Sequence, residues 1–158
     1  MERFMELYQT VYQDLYRLAY FYLGNGADAE DAVQETALAA YEHFGRLKNQ
    51  EAFRPWIFRI LVNCCRKYWR RKKCRELPLE ELEQAYEPKL SSQAEVRELL
   101  RCLDEEERLI VALRVFGGYQ SQEIARLLNR NQSTIRSRYR RALKKLELEL
   151  AQGKEMQG

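Results

Sequence analysis

The stretch Gln122–Leu146, QEIARLLNRNQSTIRSRYRRALKKL, decides the fold. Ile124, Ala125, Leu127 and Leu128 share one side of a short helix that Ser121 is placed to cap. Asn129 interrupts that pattern, and a second apolar set at helical spacing runs through Ile135, Tyr139, Ala142, Leu143, Leu146 and Leu150. A small residue at Ala125, an αL-tolerant residue at Asn129 and an apolar anchor at Ile135 give the spacing of a helix-turn-helix. The two helices touch where the side chain is smallest, and asparagine accepts the left-handed turn between them. The other face of the second helix is basic. In such a motif its first residues, here Gln132, Ser133, Thr134, Arg136 and Ser137, reach base edges in a major groove, while Arg138, Arg140, Arg141 and Lys144 are placed for phosphates. An ordinary αα-hairpin with a solvated basic face is the blander reading, and the agreement of turn, cap and charge weighs against it.

Upstream, Leu109, Ile110, Leu113 and Phe116 predict a helix opened by Asp104 and Glu107 in capping-box spacing and closed at Gly117-Gly118. Leu99, Leu100 and Leu103 predict another before it. Residues 93–152 therefore read as a four-helix domain, with 153–158 as a disordered tail. Residues 76–92 hold Pro78, Pro88, two serines and dense acid, the composition of a flexible acidic linker.

Residues 1–75 read as a first helical domain. Phe4, Leu7, Val11, Leu15, Leu18 and Tyr22 keep a helical period until Gly24-Asn25-Gly26 breaks it. Asp28 is expected to cap the next helix, whose core stripe runs Ala32/Val33, Thr36/Ala37, Ala40/Tyr41 and Phe44, with Gly45 as the terminating glycine. A third helix carries Trp56, Ile57, Ile60, Leu61, Cys64 and Tyr68 toward the core, with Pro55 tolerated in its first turn. The predicted architecture is all-α: two small helical domains and no strand.

A net charge of +3 hides strong segregation. Arg66, Lys67, Arg70, Arg71, Lys72, Lys73 and Arg75 form a block without an acid, Glu76–Glu107 is strongly acidic, and Arg126–Lys145 is again basic without an acid. A single charge run is usually a solvated face. Two separated basic blocks on predicted helices instead imply two contacts with one polyanion, because each neutralised phosphate releases counterions. In the first block Asn63, Arg66, Lys67, Trp69, Arg70 and Arg71 make the candidate nucleic-acid surface, mixing an aromatic ring with cations as a single-strand platform does.

Other chemistries lack their residues. Cys64, Cys65 and Cys74 with the lone His43 contain no C-x-x-C or H-x-x-x-H pair, so free thiols and no metal site are expected. Asp28, Glu30, Asp31 and Glu35 crowd carboxylates into two turns. There is no histidine partner, glycine-rich phosphate loop or nucleophile motif beside them, so neither an enzyme nor a cofactor is expected. No apolar run reaches the roughly 18 residues of a membrane span, which predicts a cytoplasmic protein without membrane insertion.

Three ordered motifs, DAEDAVQET (Asp28–Thr36), FRPWIFRILVNCCRKYWRRKK (Phe53–Lys73) and LDEEERLIVALRVFGGYQSQEIARLLNRNQSTIRSRYRRALKKL (Leu103–Leu146), resemble sigma factors of the extracytoplasmic-function group in the sigma-70 family. The resemblance implies an alternative sigma factor that binds core RNA polymerase and directs promoter-specific initiation in response to stress or an envelope signal. It implies that Asp28, Asp31, Gln34 and Glu35 dock on the β′ clamp helices, with the β flap as a second contact. It also implies that Phe53–Arg71 captures and melts the minus-ten element of promoter DNA while the helix-turn-helix reads the minus-thirty-five element. An anti-sigma factor, anchored in a membrane or free, is the further partner it implies. Lys67 stands where the family commonly has an acid, and Asn129 where it has the turn glycine. The alternative reading is a stand-alone helix-turn-helix regulator with an N-terminal sensor or dimerisation domain, and a third is an interaction module whose basic faces bind acidic proteins.

Overall fold

The computed structural model describes residues 1–75 and 98–157. The chain divides into two compact units, Met1–Tyr86 and Glu87–Gly158, and the linker read at 76–92 lies outside the described residues. Every regular element among the described residues is helical.

In the first unit α1 (Glu2–Leu23), α2 (Gly26–His43) and α3 (Phe53–Arg75) pack pairwise. Gly24 ends α1 at φ 82°, a left-handed conformation that glycine adopts without a Cβ penalty. The chain leaves that turn extended at Asn25, whose Oδ1 accepts from the Asp28 N–H at 2.8 Å. The cap of α2 is thus Asn25 rather than Asp28. Asp28 occupies the third helical position and accepts in return from the Asn25 amide at 2.9 Å. At the other end Gly45 caps nothing: Phe44 stays right-handed and the chain runs on as a 3-10 turn over Phe44–Arg46. A second such turn, Gln50–Ala52, is capped by the Asn49 side chain and leads into α3.

Alanines on α2 (Ala29, Ala32, Ala40) let it lie close against Leu15, Leu18 and Tyr22 of α1 and against Ile57, Phe58, Leu61, Val62 and Cys65 of α3. The core stripe of α3 is therefore rotated from the one expected. Trp56, assigned to the core, is half-buried with its ring 5.8 Å from Phe53, and Ile60, Cys64 and Tyr68 are half-buried as well. Phe4 closes one end of the bundle, its ring edge-on to Tyr41, Phe44 and Phe53 at 5.4–5.9 Å between centroids.

The second unit holds a helical segment at 98–100, then α4 (Glu105–Val115), α5 (Ser121–Leu128) and α6 (Gln132–Gln157). Asp104 caps α4 in a complete capping box with Glu107. Gly118, at φ 72°, turns the chain out of α4. Gln120 is the cap of α5 and Ser121 its first helical residue, so the cap lies one position earlier than the sequence placed it, with Glu123 accepting from the Gln120 N–H. Asn129 is left-handed at φ 55°, ψ 52°, and the Arg130 N–H closes back on the Ala125 carbonyl at 2.9 Å, a Schellman-type end. Ile135 and Ala142 are fully buried, but Leu143 and Leu150, expected as anchors, are exposed. Helix α6 continues through Gln157, so 153–157 is helical backbone where a disordered tail was expected.

Candidate docking and nucleic-acid surfaces

The four acid and amide candidates on α2 separate into two pairs. Asp31 and Gln34 are exposed. Asp28 and Glu35 are half-buried and engaged within the unit: Asp28 faces Lys72 Nζ at 4.0 Å, and Glu35 accepts from the Tyr68 hydroxyl at 3.3 Å. Lys72 also donates to the Leu23 carbonyl at 3.5 Å. The outward strip of α2 continues from Asp31 and Gln34 to Leu38, 67% exposed, and Tyr41. Sequence reading missed Leu38, although it lies four residues after Gln34 and seven after Asp31, on the same helix face.

On α3 the exposed residues recur as Pro55, Arg59, Asn63, Lys67 and Arg70/Arg71, which is one continuous strip at helical spacing. Arg59 extends the candidate surface one turn toward the start of the helix and was overlooked because the basic block begins only at Arg66. Trp69, read as a stacking platform, is half-buried with its ring 5.1 Å from that of the fully buried Tyr22. Arg66 is half-buried too. The Arg71 guanidinium lies 5.9 Å over the Tyr68 ring. Burial first, and then the Glu35 and Asp31 carboxylates, push the Tyr68 hydroxyl up to about 12.

On α6 the exposed candidates are Ser133, Arg136, Ser137, Arg140, Arg141 and Lys144, while Gln132, Thr134 and Arg138 are half-buried. Glu106 holds two arginines, Arg130 in the turn at 3.1 Å and Arg138 on α6 at 3.2 Å. Arg138, expected to face phosphate, is thus committed to an ion pair with α4. The neighbouring Glu107 is 2% exposed and accepts from Lys145 at 2.8 Å and from the Asp104 N–H at 3.1 Å. Paired contacts of this kind fix how α6 stands on α4, and removal of one partner would leave a charge buried without compensation. Glu107, read from sequence as part of a cap, and its neighbour Glu106 therefore also brace α6.

Among the described residues no group of histidine, cysteine and carboxylate side chains converges as a metal site, and no helix is long and apolar enough to cross a membrane.

Comparison with known proteins matches residues 7–75 to the family described as Sigma-70 region 2 and residues 93–146 to that described as Sigma-70, region 4. RNA polymerase sigma factor SigV of Bacillus subtilis is 33% identical over 141 residues, covering 87% of this chain and 85% of that protein. ECF RNA polymerase sigma factor SigM of Mycobacterium tuberculosis is 32% identical over 150 residues, 90% of this chain and 74% of its own. Among solved structures, CnrH in complex with the cytosolic domain of CnrY matches with a TM-score of 0.70 at 27% identity, over 96% of this chain and 90% of that one. RpoE of Bartonella quintana, in complex with the anti-sigma factor NepR, shares the fold with a TM-score of 0.71 at 21% identity, covering 96% and 98% of the two chains.

Proposed function

The chain belongs to the extracytoplasmic-function group of the sigma-70 family, and on that premise we propose how its exposed strips divide the work. It is an alternative sigma factor: it binds core RNA polymerase and directs promoter-specific transcription initiation, and it is not an enzyme. The domain division follows the sequence reading, with 1–75 docking on polymerase and opening the minus-ten element, 93–152 reading the minus-thirty-five element, and 76–92 joining them.

Asp31 and Gln34, extended by Leu38, dock on the β′ clamp helices, with Asp28 and Glu35 behind them rather than at the contact. Asn63, Lys67, Arg70 and Arg71, extended by Arg59, hold the opened minus-ten strand, with Arg66 and Trp69 bordering that strip. A strand freed from its duplex is held by cationic backbone contacts and stacking, whereas duplex is read by a helix in the major groove. The second role falls to Gln132, Ser133, Thr134, Arg136 and Ser137, with Arg140, Arg141 and Lys144 on phosphates and the β flap touching this unit. Opening is driven by binding energy. The site of action is the cytoplasm. An anti-sigma partner with a cytosolic domain is also inferred, because CnrH, 27% identical to this chain, is held by the cytosolic domain of CnrY.

The observation that carries the proposal is the separation, on one small bundle, of an exposed acid–amide strip on α2 from an exposed cationic strip on α3. A protein contact and a nucleic-acid contact can then be made at once without competing. The test is Asp31→Lys combined with Gln34→Ala in the full chain. The double variant keeps its helical circular dichroism and loses co-purification with core polymerase; a folded variant that still co-purifies removes α2 from the docking surface.

A further inference from the structure

The two strips of the first unit are joined by a tie. Tyr68 lies on α3 within the basic block, yet its hydroxyl reaches across to α2 and donates to Glu35 Oε1 at 3.3 Å. Its ring is the surface over which the Arg71 guanidinium sits, at 5.9 Å. One turn further on, Lys72 makes a second crossing toward Asp28 at 4.0 Å and toward the Leu23 carbonyl at 3.5 Å. The residues that brace the basic end of α3 are thus carboxylates of the same helix that presents Asp31 and Gln34 to solvent. Glu35 follows Gln34 directly in the chain, so the acceptor of the tie and the exposed strip share one turn of α2.

An arginine on a free surface samples many rotamers, and ordering it on a phosphate costs side-chain entropy. Seating the guanidinium over an aromatic face reduces that cost, provided the face itself is fixed. Tyr68 is held at two points: the residue is half-buried on α3, and its hydroxyl donates to Glu35 on α2.

We propose that Tyr68 is a positioning residue, which ties the docking helix to the basic end of α3 and presents Arg71 from a fixed ledge to the opened strand. The proposal rests on the reading of α3 as the minus-ten surface. It makes polymerase docking and strand capture energetically coupled rather than independent, with Glu35–Tyr68–Arg71 as the connection.

The test uses the full chain assembled with core polymerase. The probe is a fluorescein-labelled, single-stranded nontemplate oligonucleotide spanning the minus-ten element of a promoter located by run-off mapping. Tyr68→Phe keeps the ring and removes the hydroxyl. It lowers affinity for the probe roughly three- to tenfold while core affinity stays at the wild-type value; the lost intramolecular hydrogen bond lowers the melting temperature by about a few degrees, so the chain remains folded at the assay temperature. In an Arg71→Ala background, itself weakened, Tyr68→Phe adds no further loss. Wild-type affinity in Tyr68→Phe, or an undiminished loss in the Arg71→Ala background, overturns the tie. Unchanged affinity in both Arg70→Ala and Arg71→Ala would instead overturn the reading of α3 on which the tie depends.

Discussion

Asn129 is the residue whose role was most legible, because the demand it meets is local. A turn between two helices that touch at Ala125 needs one left-handed residue, and asparagine is among the few side chains that accept φ 55°. Asn129→Ala should lower the unfolding free energy of the second unit by about 1 kcal/mol while Asn129→Gly stays near neutral, measured by urea denaturation; equal losses for both would mean that the amide, not the backbone, matters. The capping of α2 was less legible. Asn25 and Asp28 are both good caps, and the choice between them is made by how the chain leaves Gly24, which composition does not specify. The ion pair of Arg138 was illegible for a similar reason: its partner Glu106 is 32 residues away in sequence. Arg136 and Lys144 are both exposed, as the roles proposed for them require. Arg136→Ala should relax base preference in the minus-thirty-five element by about 1–3 kcal/mol, if it grips a guanine through two hydrogen bonds. Lys144→Ala should weaken binding across sequences and flatten the salt dependence. Competition assays with the promoter-bound holoenzyme separate the two, and identical sequence profiles for both variants would refute the division.

At the scale of elements, existence and order could be read from sequence but phase could not. The run FRPWIFRILVNCC is apolar nearly all round, so Trp56/Ile60/Cys64 and Phe58/Val62/Cys65 compete as core stripes. The small alanines of α2, and what α1 presents beside them, select the second. The end of α6 repeats the difficulty, with leucines on several sides and only part of them covered. Capping at α4 was legible because Asp104 and Glu107 act within one turn, and it has a pH signature. Burial raises the Asp104 carboxyl, but the Glu107 N–H and side chain, with Lys145 and Arg138 nearby, outweigh that and hold it below the ordinary value. A carboxylate with a lowered folded-state pKa contributes stability that is fully present above its unfolded value and is lost as pH falls through the folded one. Asp104→Asn keeps an acceptor for the Glu107 N–H but carries no charge. Its melting temperature should therefore fall less than the wild type's as pH drops from neutrality through the carboxylate range, and parallel falls would show that the charge contributes nothing.

For the whole molecule, the segregation of charge along the sequence was the strongest guide to function, and the structure refines which charges are available. Of the acids, Glu35, Glu106 and Glu107 face inward to Tyr68, Arg130, Arg138 and Lys145. The cations left exposed on α3 and α6 form two strips, one on each unit. As proposed, either strip by itself would make a modest, salt-sensitive DNA contact. Holding both on one enzyme converts the second contact into an intramolecular one, so affinity rises through effective concentration once docking sets the spacing. Specific promoter use should therefore need the polymerase, which separates this account from that of a stand-alone regulator. The direct measurement is run-off transcription from a genomic fragment library, with core polymerase alone, this protein alone and the two together, followed by mapping of the 5′ ends. The account predicts discrete start sites that appear only with both proteins and share paired upstream elements at one spacing. Tight, sequence-specific binding of the free protein to DNA, with no new start sites when core polymerase is added, would contradict it.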